Sequence, residues 1–553
     1  MVVMVLALAS CGGEDAAVAD GADIDRPTAA SMASVRLVDV ARDVGLDFRH
    51  GAFRWEAGPD PAAMMGGGLC WIDYDRDGWL DLYMVNTWST GEWGAWRGEV
   101  GELPASHLYR NDEGRFVDVT DAVGARLETR GNGCVAADLD LDGWTDLYVT
   151  TERENVLLWN DAGGRFVDDR SLDVPSGAAA FGWHGGAAVG DVDGNGWPDL
   201  YVAGYADLNR RIPSASRGFP NTFEPEPDLL FLNGGPVEGG RVAFSEDADR
   251  LGLEPDGADY ALGALLSDLD LDGDLDLYVA HDTTPNRVYE NRFAIDEGFV
   301  LQGPDAGVGD EGAGMGVASG DADGDGLPEL VTTNEFDERH VLVENRSDRS
   351  LRFVDALAAA GIAEFGVGAT GWGTAWVDLD LDGDLDLIAA SGAIPVRDLE
   401  ADREATLLLE NTGTGFVDAA TTVGLDAVGP RLGRGVATAD FDNDGDMDVA
   451  MGTIGGEVTL LRNSGAGGSW LQVATPSPAP GLVVEVELAD GTTIRRELHV
   501  GSSYLSSGDP RIHIGLDGAD AAALVTVTWP DGDVSTFADV AANQVLDVAR
   551  GDR

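Results

Sequence analysis

The stretch Asp73-Tyr74-Asp75-Arg76-Asp77-Gly78-Trp79-Leu80-Asp81 decides how the rest of this chain is read. Carboxylates at its positions 1, 3 and 5 alternate along a tightly curled backbone and converge on one point. Gly78 at position 6 permits the sharp turn. Position 7 offers a carbonyl, and the acid at position 9 closes the shell. An oxygen-only set of that size suits calcium, whereas magnesium holds on to its waters. An EF-hand closes with Glu at position 12 between two helices. Here the closing acid stands at position 9 and the flanks read as strands, so the EF-hand is excluded.

One such loop is weak evidence, but this one has six relatives. The candidate metal ligands are Asp73, Asp75, Asp77 and Asp81 in the first loop, and Asp138, Asp140, Asp142 and Asp146 in the second. The third offers Asp191, Asp193, Asn195 and Asp199, and the fourth Asp268, Asp270, Asp272 and Asp276. The fifth offers Asp321, Asp323, Asp325 and Glu329, and the sixth Asp378, Asp380, Asp382 and Asp386. The seventh has Asp440, Asp442, Asp444 and Asp448. Asn195 still supplies a carbonyl oxygen, and Glu329 a longer carboxylate. The cofactor expected is calcium, up to seven ions.

The loops start 65, 53, 77, 53, 57 and 62 residues apart, a repeat much longer than a nine-residue calcium β-roll. Each follows a short run of small and apolar residues, such as Gly133-Cys134-Val135-Ala136-Ala137. Each precedes a strand-like segment such as Leu147-Tyr148-Val149. A third segment follows (Leu108-Tyr109-Arg110-Asn111) and then a fourth (Arg115-Phe116-Val117-Asp118-Val119). Four short strands per unit make a propeller blade, so the fold expected is an all-β, seven-bladed β-propeller with a small C-terminal β domain. The seventh unit stops after Leu460-Leu461-Arg462-Asn463 without a fourth strand. Arg36-Leu37-Val38-Asp39-Val40 supplies the missing one, completing the last blade and locking the ring, which removes an exposed sheet edge.

The repeats resemble the FG-GAP/VCBS repeats of integrin-α-like propellers, over roughly residues 36–465. The tail runs Gly501-Ser502-Ser503-Tyr504-Leu505-Ser506-Ser507-Gly508-Asp509-Pro510-Arg511-Ile512-His513-Ile514-Gly515-Leu516, with Val527-Thr528-Trp529-Pro530-Asp531-Gly532 further on. It is similar to the ASPIC/UnbV domain, here residues 466–553. Together they resemble the layout of bacterial relatives of cartilage acidic protein. The resemblance implies a secreted calcium-binding protein and no particular reaction. Ser503, Tyr504 and Ser506 are expected to serve turn and core.

The chain has 553 residues, 44% of them hydrophobic, with 14 Trp, and a net charge of −64 whose basic share is all arginine. That surface repels phosphate backbones, so nucleic acid is excluded as a partner. At the start, Leu8-Ala9-Ser10-Cys11 after an apolar run resembles a bacterial lipobox. Residues 1–11 then read as a lipoprotein signal with Cys11 lipidated, and 12–35 as a flexible linker. The protein is expected to be exported, as an outer-membrane or cell-surface lipoprotein or a secreted one, and monomeric. The only membrane contact expected is that lipid anchor. Cys70 and Cys134 sit on strand faces that neighbouring blades turn toward each other. Two buried thiols are expected there, with a disulfide as the alternative.

No Gly-x-Ser-x-Gly or His-Glu-x-x-His motif is present, and a Walker loop needs the lysine this chain lacks. The expectation is a non-enzymatic binding or adhesion protein whose partner is an extracellular protein or glycan. The alternative is a polysaccharide-acting enzyme or accessory subunit with its site at the propeller mouth. Strand direction puts all seven Asp loops on one face and the long insertions on the other. Trp88, Trp93, Trp96 and Arg97 lie in the insertion of blade one, and Arg210, Arg211 and Arg217 in that of blade three. Such aromatic and Arg composition suits a binding surface. The same residues would equally serve to pack their own loops.

Overall fold

A computed structural model describes residues 32–170, 182–213, 218–238, 241–295, 297–465 and 467–551. Cys11 and Arg217 lie outside them. Seven sheets follow one another along the chain, each of four antiparallel strands, and blade three carries a fifth. Blade one is Leu69–Ile72, Asp81–Met84, His107–Asn111 and Phe116–Asp118, in that order from the channel outward. The next five blades repeat the order. Blade seven takes its outer strand from the other end of the chain, with Leu37 opposite Asn463 and Asp39 opposite Leu461. In blade three the second strand runs on as Asp199–Arg211 and pairs with Phe223–Pro225, so the insertion there is an extension of the sheet.

Each blade is packed on both faces, which is why its inner strands read as almost unbroken apolar runs. Successive side chains go to opposite neighbours. Trp71 joins Ala437 and Phe441 in the core shared with blade seven, whereas Cys70 and Ile72 join Cys134 and Leu147 in the core shared with blade two. One such core lies at every blade interface, seven in all. Closing the ring therefore buries an apolar face that an open array would leave wet.

Trp470–Ala474, Ile512–Gly515 and Gln544–Asp547 form a three-stranded sheet. Val483–Glu487, Thr493–Glu497, Ala521–Thr528 and Val534–Ala541 form a four-stranded one. Their inner faces share a core that includes Leu471, Val484, Val486, Ile514 and Val525. This small sandwich stands on the loop face of the propeller.

From it the segment around Ser503 enters the central channel. Val500 O accepts from Val189 N–H, Ser503 pairs both ways with Val317, and Leu505 O accepts from Cys134 N–H. Ser507 O accepts from Trp71 N–H, and Asp509 N–H donates to Thr438 O. The plug thus uses inner-strand backbone groups of blades one, two, three, five and seven that have no neighbouring strand on the channel side. Glycines on those strands make room for it. A Cβ at Gly68 would come 2.0 Å from the Leu505 carbonyl oxygen, and one at Gly133 would lie 2.7 Å from it. Tyr504 is the tip, 1% exposed, with its hydroxyl on Met65 O at 2.8 Å and its ring 5.0 Å from Trp372.

The expectation of two free thiols is overturned. Cys70 and Cys134 form a disulfide, with Cα atoms 6.1 Å apart. Both lie on inner strands of adjacent blades beside the plug, where the ring holds their side chains face to face. Disulfides persist in oxidising compartments.

Candidate metal centres

Every Asp loop has the same backbone. Position 4 is left-handed in all seven: Arg76, Leu141, Gly194, Leu271, Gly324, Leu381 and Asn443, with φ between 50° and 75°. The position 6 glycines are left-handed as well, from 85° at Gly78 to 100° at Gly273. Two such residues so close together curl the chain around a point, and glycine relieves the strain at the second.

The acids hold that curl. In the first loop the Asp73 carboxylate accepts from the Asp77 and Gly78 N–H groups, each at 3.1 Å, and Asp77 accepts from Trp79 N–H. Asp81 is fully buried and accepts from Tyr74 N–H and from Asn111 N–H. Asp138, Asp191, Asp268 and Asp440 repeat the first contact pair. Asp146, Asp199, Asp276, Glu329, Asp386 and Asp448 repeat the second.

These contacts leave oxygens over. Asp75 Oδ1, Asp140 Oδ1, Asp270 Oδ1, Asp380 Oδ1 and Asp442 Oδ1, the position 3 oxygens of five loops, are buried without a hydrogen-bond partner. Oxygens of Asp73, Asp75 and Asp81 converge to within 4.8 Å of one another. So do those of Asp138, Asp140 and Asp146; Asp191, Asp193 and Asp199; Asp268, Asp270 and Asp272; and Asp321, Asp323 and Asp325, with two further groups alike. A buried unpaired oxygen is costly, and several facing one another cost more. Burial, with Asp75 and Asp73 adding their charge, pushes the Asp81 carboxyl up to about 9. Asp199 and Glu329 rise to about 8 for the same reasons. Arg241 pairs with Asp140 Oδ2 at 2.6 Å in the second loop and Arg346 with Asp325 in the fifth, which offsets only part of the charge gathered there. An oxygen-only donor set of this kind fits a hard divalent cation. A cation there would neutralise the cluster and take up the unpaired oxygens.

One recurring residue has a role that spacing along the chain does not reveal. Each third strand carries an asparagine at its loop end: Asn111, Asn160, Asn233, Asn291, Asn345, Asn411 and Asn463. Each donates through Nδ2 to the position 2 carbonyl of the preceding blade's loop. Asn160 reaches Tyr74 O at 2.8 Å, and Asn111 reaches Phe441 O at 2.8 Å across the closure. The other five make the same bond to Leu139, Val192, Leu269, Ala322 and Leu379. The backbone N–H of each binds its own loop's closing acid. The seven loops are thereby linked in a closed circle.

The C-terminal sandwich rests on this circle. Ser477 Oγ donates to Asp138 Oδ2 at 2.8 Å, Gln472 Nε2 to Asp440 Oδ2, and Gly515 N–H to Asp378 Oδ2. Glu497 accepts from Asp268 N–H, and Arg496 donates to Gly383 O.

On the opposite face the insertion residues divide. Trp88 and Trp96, 8% and 7% exposed, pack with Leu103 under their own loop and offer no surface. Trp93 is exposed, and so is Trp55, which stands edge-on to Trp96 with Arg54 over both rings. Arg97 pairs with Glu128, Arg210 pairs with Glu224, and Arg211 lies over Phe223. Among the described residues no helix is long and apolar enough to cross a membrane.

The FG-GAP-like repeat family matches residues 73–149, 138–202 and 268–332, each match starting at the first Asp of a loop. The ASPIC and UnbV family matches residues 472–553. Human cartilage acidic protein 1 is 25% identical over 448 residues, 77% of this chain and 64% of that protein. The mouse protein of the same name is 25% identical with 66% of its length covered, so the chain spans a little under two thirds of these relatives. A solved Agrocybe aegerita lectin recognising non-reducing terminal N-acetylglucosamine aligns at 16% identity with a TM-score of 0.40, over 63% of this chain and 82% of its own. The chain thus carries FG-GAP-like repeats followed by a C-terminal ASPIC and UnbV domain.

Proposed function

We propose that this is an exported, non-enzymatic binding or adhesion protein, stabilised by calcium in its seven Asp loops, that takes its partner on the face away from those loops. The observation that carries the reading is the division of the two faces. The loop face is covered by the C-terminal sandwich, and the channel is stopped by the segment around Tyr504. The other face keeps exposed tryptophans and an open hollow at its mouth. Loops of that kind, on a rigid scaffold, commonly carry recognition. The Cys70–Cys134 disulfide supports export, and lipidation at Cys11 would add a membrane tether. The partner is an extracellular protein or a glycan.

The test is a screen of the protein on glycan and protein arrays, with and without calcium, followed by Trp55→Ala with Trp93→Ala. Both side chains are exposed, so melting should hold while binding weakens about tenfold or more, as for loss of a hot spot. A partner that binds the double variant as well as the parent, and is lost on changing the sandwich surface, overturns the reading. Cleavage of a bound glycan would favour the enzyme alternative.

A further inference from the structure

At the centre of the mouth lies a cavity of about 350 Å³, within the range of small-ligand sites. Its walls are apolar and aromatic: Met64, Met65, Met315, Phe219, Tyr205 and Trp372. Trp372 stands at the loop-distal end of an inner strand, Tyr205 on the extended second strand of blade three, and the others on connections at the same end, so the cavity faces away from the metal loops. Its floor is closed from beneath, because Tyr504 of the plug packs against Trp372 and binds Met65 O. The channel is therefore a blind pocket with one entrance.

The charged groups that line the cavity, among the described residues, are Asp282 and Glu335. The buried Arg434 guanidinium stands behind the wall, 3.9 Å from the Trp372 ring, with its N–H groups spent on the Met64, Gly392 and Gly433 carbonyls. Tyr205 Oη donates to Asp282 Oδ2 at 2.5 Å, which fixes that carboxylate toward the aromatic wall. Burial, offset in part by that hydrogen bond, pushes the Asp282 carboxyl up to about 7. Glu335 stands exposed at the rim. Methionine sulfur and aromatic faces beside a rim carboxylate and one that ionises near neutrality favour a cation carried on an apolar body, most strongly above the Asp282 value of about 7. The chain's net charge of −64 draws cations toward it.

We infer that the blind pocket at the propeller mouth binds an organic cation, an ammonium or guanidinium group on an apolar body, with Asp282 and Glu335 holding the charge and Met65, Met315 and Trp372 the apolar part. The inference rests on the mouth being the binding face and names the chemistry recognised there. The cation is either a free amine or the arginine or lysine side chain of a partner, and the test separates the two.

The probes are 4-phenylbutylamine, its anionic counterpart 4-phenylbutyrate, and an amidated N-acetyl-Phe-Arg dipeptide. Each is titrated calorimetrically into the calcium-loaded protein at about pH 8.5, where Asp282 is ionised, and in about 0.5 M salt, which screens attraction to the general surface. The amine should bind one per chain and at least about tenfold more tightly than the carboxylate, the scale of a hydrogen-bonded charge. Asp282→Asn keeps an acceptor for Tyr205, and with Glu335→Gln it should abolish that preference. Glu335→Gln alone, at an exposed position that folding does not need, should weaken the amine severalfold. Tighter binding of the dipeptide supports the site and puts its cation on a protein partner. Tighter binding of the amine supports it and puts the cation on a free molecule. Equal affinity for amine and carboxylate, or a preference that survives the double variant, overturns the inference. Array partners that depend on Trp55 and Trp93 while no amine binds leave the face reading standing and refute the cation site.

Discussion

Tyr504, with Leu505 beside it, stands at the tip of the segment through which the C-terminal sandwich reaches the far end of the propeller channel. Replacing it with phenylalanine removes one buried hydrogen bond, the 2.8 Å contact to Met65 O, and leaves that carbonyl unpaired. Such a change costs about 1–2 kcal/mol. Replacing it with alanine also removes a ring that is 1% exposed and packs edge-on against Trp372. Deleting a buried aromatic side chain costs about 3–5 kcal/mol, and the open channel offers little that can collapse into the gap. The order expected is therefore parent, Tyr504→Phe, Tyr504→Ala, with the larger step second. Urea unfolding at saturating calcium, followed by tryptophan fluorescence and circular dichroism together, measures it. Any divergence of the two signals would show the sandwich leaving before the propeller. An alanine variant within about 1 kcal/mol of the parent would refute the claim that the plug binds the two domains into one unit.

Asn111→Ala removes the bonds to Leu80 O and Phe441 O at the ring closure and the one that Oδ1 accepts from Gly114 N–H, and should cost about 2–4 kcal/mol in the same unfolding assay, most of it from the two fully buried bonds. Asp442→Ala deletes an oxygen that has no other partner, so metal analysis should find one ion fewer per chain. Its stability cost should be about 1.4 kcal/mol at tenfold excess of calcium over the site constant. Acidity should act oppositely on the two forms. In the metal-free fold Asp81 titrates at about 9 and Asp199 and Glu329 at about 8, above their unfolded values. The folded chain then holds more protons than the unfolded one between about pH 4 and 9, so metal-free stability falls as pH rises through that window. Calcium must displace those protons, so its affinity should rise from pH 6 to pH 8, as calorimetry at the two values will read.

The loops and the blade count are legible because each is local, and the closure by residues 36–40 because counting strands leaves the seventh blade one short. A nine-residue spacing fixes a turn, and alternation fixes a strand. What escaped is what depends on distance in sequence. The plug joins Ser503 to Val317 and Leu505 to Cys134, pairs that no pattern along the chain connects. The small residues ahead of the loops marked its seat, since Gly68 and Gly133 are needed where Leu505 passes. The Cys70–Cys134 disulfide is no more than a possibility on strand faces alone, because blade adjacency gives the direction of two side chains and not their separation. Trp88 and Trp96 carried the composition of a surface and turned out to be the small core of their own loop. The asparagine circle was in plain view as a repeated final residue. Its partner lies a blade away, so spacing alone gave it no function.

The central claim is that calcium in the seven loops holds the propeller. Extracellular modules bind calcium with constants of roughly 0.1–1 mM, and seven independent sites at tenfold excess would add about 10 kcal/mol, comparable with the whole stability of a domain. The direct measurement is a melting curve taken with metal analysis on the same sample, before and after chelation and again after calcium is restored. The account predicts close to seven calcium ions per chain, a large fall in melting temperature when they are removed, recovery with calcium and poor recovery with magnesium. A melting curve that does not move in protein shown to have lost its metal would contradict it.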